Sequence, residues 1–303
     1  MGKVSGVFLL VGLCLGAIIA MLLVPPARPG SEAIAVAASG ASEVTVDVES
    51  APAESPAPTP SPPSKSAEPG KPSTDIDTKA LAELVDGGQV SVVLYDRTAK
   101  KSTVSLKSER SYTSASLVKL LIALEALQAG APPSSVQRML SASDDDIASR
   151  LWTAYGGPAI VTRWALKIGL GGTHPPEDPG RWGDTRITAA DIVKIYRYVL
   201  DQVSAGTRTT IMRALSGATE SGSDGIRQYF GVPDAVGSLP WSIKQGWACC
   251  RGSRILHSSG VLGKDNRYIV VVLTSQPTST TYASGGKRVT DVVKALLPAI
   301  DDM

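Results

Sequence analysis

Ser116 and Lys119 stand three residues apart at the start of an apolar run that extends to Leu124. A helix that is apolar on every side is buried, and residues three apart lie on one of its faces, so the hydroxyl and the amine can meet away from water. Burial disfavours charged lysine and lowers its pKa by up to about 3–5 units. A neutral amine can act as the base for a serine hydroxyl, so the pair predicts nucleophilic catalysis by Ser116. The alternatives are that Ser116 caps the helix and that Lys119 reaches out to water.

Two further motifs follow along the chain, Ser143-Asp144-Asp145 and Lys244-Gln245-Gly246. Together with Ser116-x-x-Lys119, this order resembles the S-x-x-K, S-D-N and K-T-G boxes of the penicillin-recognising serine enzymes, the class A β-lactamases and D,D-peptidases. Between the boxes, Gly156-Gly157-Pro158 is similar to the region after S-D-N, and Asp184-Thr185-Arg186-Ile187-Thr188 is similar to the end of the family's omega loop. The resemblance covers most of residues 77 to 303.

The resemblance implies a role for each of four catalytic residues. Ser116 is the expected nucleophile, in the first helical turn, where free N–H groups and the helix dipole stabilise an oxyanion. Lys119 is its expected base, and Ser143 is expected to pass a proton between Lys119 and the leaving nitrogen. Lys244 is expected to place a positive charge beside Ser143 and a substrate carboxylate. Without the family context, Ser143 is equally well explained as a helix cap.

Four residues are expected at the substrate: Asp145, Gln245, Gly246 and Trp247. The glycine would let a substrate backbone approach closely, and the Trp247 N–H would join that of Ser116 as an oxyanion donor. Two of the four depart from the family pattern. Asp145 replaces an asparagine, which removes an amide donor and adds a negative charge near the catalytic lysine. Gln245 replaces the threonine or serine that normally touches the substrate carboxylate.

The region that resembles the omega loop, residues 171–184, is short and lacks the Glu-Pro-x-x-x-Asn pattern that positions the deacylating water in class A β-lactamases. Glu177 is its only glutamate and therefore the candidate deacylation base. Its closeness in sequence to Asp184 argues against a strict equivalence. We therefore expect acylation to be retained and fast deacylation to be lost.

The elements that must hold these residues follow from hydrophobic periodicity. Strands are predicted at 89–96, 102–106, 241–250, 254–259 and 267–275. Helices are predicted at 77–84, 116–129, 135–154, 159–168, 188–200, 207–215 and 289–300. This order indicates an α+β fold in which strands from both ends of the domain form one antiparallel sheet around an inserted helical lobe. The resemblance implies the same sandwich, with a lobe reduced in size and the active site in the cleft between lobe and sheet.

Ahead of this domain, expected at 75–303, the chain has two segments of a different kind. Residues 1–24 contain an apolar stretch, Val4 to Val24, of about the 20 residues that cross a bilayer as a helix, and so predict an uncleaved signal anchor. Residues 25–74 are rich in proline, alanine and serine and predict a disordered stalk. The domain would then be membrane-anchored and extracytoplasmic. The alternative is secretion after cleavage near Ala35-Val36-Ala37. Cys14 is interpreted as an inert thiol, because Leu13 stands where a lipoprotein has a small residue.

Composition limits the partners. The net charge is +2, and no basic stripe carries interleaved aromatic residues, so no nucleic-acid partner is expected. The two histidines, His174 and His257, are too far apart to suggest a metal site, and neither a metal nor a cofactor is expected. Cys249 and Cys250 are interpreted as buried free thiols, with a disulfide as the alternative. A monomer is expected.

The sequence thus predicts an extracytoplasmic serine hydrolase whose substrates are β-lactams or peptidoglycan stem peptides ending in D-Ala-D-Ala. The alternative is a catalytically degenerate module that binds wall peptide or a protein, which Asp145 and Gln245 favour. The two hypotheses differ at Lys119, because an enzyme needs this amine free of a permanent salt bridge.

Overall fold

The computed structural model describes residues 76–249 and 251–300. The predicted anchor at 1–24 and the stalk at 25–74 lie outside the described residues. Within them, no helix is both long enough and apolar enough to cross a membrane.

Five strands form one antiparallel sheet in the order β2-β1-β7-β6-β5. Two short strands, β3 and β4, pair separately and lead towards the Ser116 region. The strands are β1 (Gln89–Asp96), β2 (Lys101–Leu106), β3 (Tyr112–Thr113), β4 (Arg186–Ile187), β5 (Trp241–Ala248), β6 (Arg254–Leu262) and β7 (Tyr268–Gln276). The first two and the last three come from opposite ends of the domain and meet at the β1–β7 pairing, as predicted. Strand β5 lies at an edge of the sheet.

Helices cover both faces of this sheet. Alternating strand residues point to opposite faces, so Val93 and Val271 join the core beneath the helical lobe, whereas Val92 and Val272 join the core beneath the C-terminal helix. The helices are α1 (Thr78–Glu83), α2 (Lys119–Gln128), α3 (Pro133–Ser141), α4 (Asp145–Ala154), α5 (Pro158–Ile168), α6 (Ala189–Asp201), α7 (Ala205–Ser216), α8 (Val232–Ala235) and α9 (Tyr282–Leu296). The predicted α+β sandwich with an inserted helical lobe is confirmed.

The single helix predicted at 135–154 is wrong, because the chain forms α3 and α4 with a turn between them. Ser143, in this turn, has a φ of 53°. Asp144 is the N-cap of α4, and its side chain accepts a hydrogen bond from the Ile147 N–H. Asp145 and Asp146 then occupy the first turn, where the helix dipole favours negative charge. Local capping therefore outweighs the apolar periodicity and turns Ser143 out of the helix.

Two other boundaries differ from the prediction. The segment predicted as one helix from residue 116 begins as a 3-10 turn, Ala115–Val118, and α2 starts at Lys119. The last helix begins at Tyr282, seven residues before the predicted start at 289, after a capping box at Thr281. The early glycines of α9 hide it from periodicity, and they allow close packing, because a Cβ on Gly285 would lie 2.4 Å from a methyl of Leu256.

Candidate active site

The predicted pair of Ser116 and Lys119 is in contact. Ser116 lies in the 3-10 turn before α2 and is 5% exposed, and Lys119, the first residue of α2, is fully buried. The Lys119 Nζ donates a hydrogen bond to the Ser116 Oγ over 3.0 Å. Neither alternative from the sequence describes this geometry, since the lysine does not reach bulk water and the serine hydroxyl faces an amine.

Ser143 is held between two amines. The Lys119 Nζ donates to the Ser143 carbonyl oxygen at 2.6 Å and to its Oγ at 3.2 Å. The Lys244 Nζ reaches the same Oγ at 2.9 Å from strand β5. The structure therefore brings all four predicted catalytic residues into one buried cluster, which we call the serine–lysine cluster: Ser116, Lys119, Ser143 and Lys244.

One carboxylate contacts this cluster. Asp145 Oδ1 lies 2.5 Å from the Lys119 Nζ, and its side chain is 61% exposed while that of Lys119 is buried. Burial lowers the pKa of Lys119, and the charge and hydrogen bond of Asp145 offset part of that shift. The pKa of Lys244 falls well below its ordinary value, through burial first and the nearby charge of Lys119 second.

Successive side chains of β5 point to opposite faces of the sheet, so Gln245 and Gly246 of the third motif lie on different faces. A Cβ on Gly246 would lie 3.0 Å from the Ser114 carbonyl oxygen, so the strand passes close to the turn that carries Ser116. Gln245 points to the opposite face and is fully buried. Its Nε2 donates to the carbonyl oxygens of Phe230 at 2.6 Å and Gln228 at 3.0 Å. The structure does not bring the Gln245 side chain to the serine–lysine cluster, where a substrate contact was predicted.

Trp247 lies beside the cluster, with the Lys244 Nζ 5.8 Å from the centre of its ring. Its Nε1 donates to Asp224 Oδ2 over 2.8 Å. The role of its backbone N–H as an oxyanion donor stays a prediction.

Gln228 fixes the turn that carries Ser143 and was not predicted from the sequence. This buried side chain donates from Nε2 to the carbonyl oxygens of Ser141 and Thr219, each at 2.9 Å. The Ser223 N–H adds a bond of 2.8 Å to the Ala142 carbonyl oxygen. Segment 219–228 therefore clamps the turn, and Gln245 clamps that segment in turn. A lone glutamine between irregular residues gives no signal that could have revealed this.

Trp182 covers Lys119 and was also missed. The Lys119 Nζ lies 4.9 Å from the centre of the indole ring, within the range of a cation–π contact. The Trp182 Nε1 donates to the Ser149 Oγ on α4 over 3.2 Å, which ties loop 171–184 to the lobe. A tryptophan in a loop of glycine, proline and charged residues was the only available signal.

Glu177, the candidate deacylation base, lies elsewhere. It is exposed and forms no hydrogen bond or ion pair within the described part of the chain. It lines a cavity of about 500 Å³ whose other walls include Asp178, Arg181 and Ala248, and none of the four cluster residues lines this cavity. The structure therefore does not bring Glu177 to Ser116.

His257 supports the strand that precedes Ser116. It is buried; its Nε2 donates to the Thr113 carbonyl oxygen at 2.9 Å, and its Nδ1 accepts from the Thr274 N–H at 3.1 Å. Burial lowers its pKa from 6.5 to about 4. Among residues 76–249 and 251–300, no group of three or more His, Cys, Asp or Glu could hold a metal ion. Cys249 is exposed and disulfide-bonded, so the interpretation as a buried free thiol is wrong at this position.

Comparison with known proteins adds a family. No protein-family model matches the chain. The proteins named "Putative lipoprotein LppW" in Mycobacterium tuberculosis and Mycobacterium bovis are 36% identical to it over 225 residues, which cover 70% of this chain and 70% of each relative. The chain belongs to the LppW family.

Solved structures show the fold of this LppW-family chain. A class A β-lactamase from Mycobacterium abscessus superposes with a TM-score of 0.61 at 18% identity, covering 73% of this chain and 98% of that one. PBP-A gives 0.60 at 14% identity, with coverages of 75% and 96%. The β-lactamase from Streptomyces albus G gives 0.58 at 20% identity, with coverages of 73% and 98%. The LppW-family chain therefore has the fold of class A β-lactamases and PBP-A.

Proposed function

We propose that this protein is a serine hydrolase that forms an acyl-enzyme at Ser116 with β-lactams or with peptides ending in D-Ala-D-Ala, and releases it slowly. The observation that carries the proposal is the buried amine of Lys119, which contacts the hydroxyls of both Ser116 and Ser143. A nucleophile within hydrogen-bond reach of a base, with a second hydroxyl beside that base, is the arrangement that acyl transfer needs.

In the proposed acylation, neutral Lys119 accepts the proton of the Ser116 hydroxyl while the oxygen attacks the substrate carbonyl carbon. Ser143 donates its proton to the leaving nitrogen as the carbon–nitrogen bond breaks, and recovers a proton from the Lys119 ammonium. Lys244, bonded to the Ser143 oxygen, holds that hydroxyl in line with both partners. Burial supports this cycle because it keeps the neutral form of Lys119 accessible.

The slow release is inferred from what surrounds Ser116. Hydrolysis of an acyl-enzyme needs a general base for water, which contributes typically about 10²–10⁴-fold. Glu177 lines a separate cavity, and the indole of Trp182 lies over Lys119. Lys119 is itself ion-paired with Asp145, which favours its protonated form.

We further propose that the domain is membrane-anchored and extracytoplasmic. The apolar stretch from Val4 to Val24 supports a transmembrane anchor. The relatives are named as a lipoprotein, which supports a lipid attachment instead. Cys14 lies within the apolar stretch and would be the residue that carries the lipid. Either anchor should hold the full chain in the membrane pellet. A mature N-terminus near Ala38 in the soluble fraction would contradict both kinds of anchor. If Cys14→Ser moves the chain from the membrane pellet to the soluble fraction, the anchor is a lipid attached to Cys14.

The test of the enzyme assignment is labelling of the full chain with a fluorescent penicillin. Wild type should be labelled, Ser116→Ala should not, and Ser134→Ala, which removes an exposed serine, should behave as wild type. Equal labelling of wild type and Ser116→Ala would refute Ser116 as the nucleophile.

The second candidate is a binding module without catalysis. The ion pair of 2.5 Å between Lys119 and Asp145 favours it, because a permanently charged lysine cannot accept a proton. Such a module would bind a stem peptide with equal affinity in wild type and Ser116→Ala, and no β-lactam would label either protein.

A further inference from the structure

Asp224 is an exposed residue of the segment that clamps the Ser143 turn, and Trp247 connects it to the serine–lysine cluster. Its Oδ2 accepts the hydrogen bond from Trp247 Nε1 at 2.8 Å, and its Oδ1 accepts from the Ile226 N–H at 3.0 Å. The loop has no spare room here, because a Cβ on Gly222 would lie 2.8 Å from the Trp247 ring and 2.9 Å from the Asp224 carboxylate. The carboxylate is therefore fixed against the Trp247 indole, the same ring whose centre lies 5.8 Å from the Lys244 Nζ.

The charge of Asp224 reaches the cluster. Burial lowers the pKa of both Lys119 and Lys244, and the charges of Asp145 and Asp224 offset part of that shift. Both carboxylates are exposed at the surface of the molecule, whereas the two amines are buried. Two exposed anionic groups thus lie beside the buried amines of the cluster, Asp145 against Lys119 and Asp224 against Trp247.

Arg227, the cationic residue nearest in sequence to Asp224, does not form an ion pair with it. Arg227 pairs with Asp234 at 2.7 Å and with Glu220 at 3.1 Å, which commits its guanidinium to other carboxylates. Gln245, whose motif position would offer a hydroxyl to a substrate carboxylate, points to the opposite face of the sheet. A substrate carboxylate beside the cluster would meet the exposed carboxylates of Asp145 and Asp224. The two amines nearby, those of Lys119 and Lys244, are buried and already hydrogen-bonded to the Ser143 hydroxyl.

We propose that Asp224 is a specificity-determining residue that selects acyl donors whose leaving group is uncharged or cationic, such as a peptide with an amidated carboxyl terminus. This inference rests on the proposed acyl transfer at Ser116 and ranks its acyl donors by the charge on the leaving group. Donors that carry a carboxylate on the leaving group, penicillins among them, still acylate Ser116, but Asp224 and Asp145 repel them and slow the reaction.

The test uses two thioester donors that are identical except for a carboxylate or a carboxamide on the leaving group. Intact mass of the full chain in detergent gives the acylation rate of each. Wild type should prefer the carboxamide donor. Asp224→Asn, whose amide oxygen can still accept from the Trp247 Nε1, should shift the ratio of rates towards the carboxylate donor by about tenfold, the size expected for removing one charge several ångströms away near a protein surface.

The control is Asp146→Asn, which makes the same charge change on an exposed residue of α4 that contacts neither lysine. Its ratio should equal that of wild type. Faster acylation of wild type by the carboxylate donor, or an equal shift in Asp146→Asn, would overturn the inference.

A second measurement separates this inference from the proposed function. Calorimetry with the matching non-reactive peptides should show that wild type binds the carboxamide peptide more tightly, and that Asp224→Asn shifts the ratio of affinities by a similar factor. If no donor acylates any variant, the proposed function fails, while the affinity ratio still supports or refutes Asp224 as the selecting residue.

Discussion

The serine–lysine cluster and loop 171–184 meet at Trp182 and differ in how their candidate catalytic residues are held. In the cluster, Ser143 and Lys119 are buried and bonded to one another, and Lys244 joins them from the sheet. In the loop, Glu177 is exposed and has no partner within the described residues. Trp182 extends from the loop to the cluster.

Under the proposed function, this difference would place the two half-reactions in different parts of the molecule. Groups that form an acyl-enzyme need to be pre-positioned at the nucleophile, and the cluster provides them. A base that activates water must stand close to the acyl carbon, and the loop that would provide it holds its glutamate in another cavity. We therefore propose that the molecule becomes acylated and turns over slowly.

The largest expected effect is the difference between neutralising Asp145 at the cluster and neutralising Glu177 in the loop. Asp145→Asn should raise the acylation rate at neutral pH about tenfold or more, because an opposite charge in contact typically moves a pKa by about 1–3 units and its loss favours neutral Lys119. Stopped-flow labelling with a chromogenic β-lactam measures this rate. The slow release phase should not change.

Glu177→Gln is the matched substitution in the loop and should alter neither phase. A slower release phase in Glu177→Gln would show that the loop moves its carboxylate to the acyl-enzyme. Slower acylation in Asp145→Asn would show that Asp145 orients Lys119 and does not restrain it.

A substitution at Gln228 tests whether the turn that carries Ser143 must be held in place. Gln228→Met keeps the side-chain volume but leaves the Ser141 and Thr219 carbonyl oxygens without their donor, which costs about 1–3 kcal/mol of stability for a buried polar group. Loosening the Ser143 turn should also lower the acylation rate at saturating β-lactam. Denaturant unfolding and single-turnover rates check the two effects, and a loss of stability with an unchanged rate would restrict Gln228 to a structural role.

The smallest expected effect is a difference between the two histidines in how they change the pH dependence of stability. His257 is buried beside the cluster and its pKa in the folded state is about 4, below the ordinary 6.5. The unfolded chain therefore binds more protons between these values, and stability should fall as the pH drops from about 6.5 towards 4, by about 1 kcal/mol at pH 5.5.

The unfolding temperature should depend less steeply on pH across this range in His257→Gln than in wild type. The same change at His174, which is exposed in the loop, should leave the slope as in wild type. Equal effects of the two substitutions would refute the assignment to His257.

The sequence predicted that Ser116, Lys119, Ser143 and Lys244 come together because spacing and burial carry that information. Ser116 and Lys119 are one helical turn apart, and the alternation of β5 directs Lys244 to the same face as Gly246. The break at Ser143 was missed because it depends on the Asp144 cap, although this signal is also local.

The supporting residues could not be predicted in the same way. Gln228, Trp182 and Asp224 act through irregular segments that fold back from distant parts of the chain, and no periodicity marks such contacts. The side-chain direction of Gln245 was obscured by the family motif, because resemblance supplied a role that strand alternation did not support.

The most direct test of the central claim is the stoichiometry of product release. Full-length protein at a known micromolar concentration is mixed with excess chromogenic β-lactam, and intact mass is recorded in parallel. We expect a burst of one product equivalent, a trapped adduct that is absent from Ser116→Ala, and then a slow phase. Linear turnover of many equivalents with no burst and no adduct would contradict the account, because it would show that a base for water is present at Ser116.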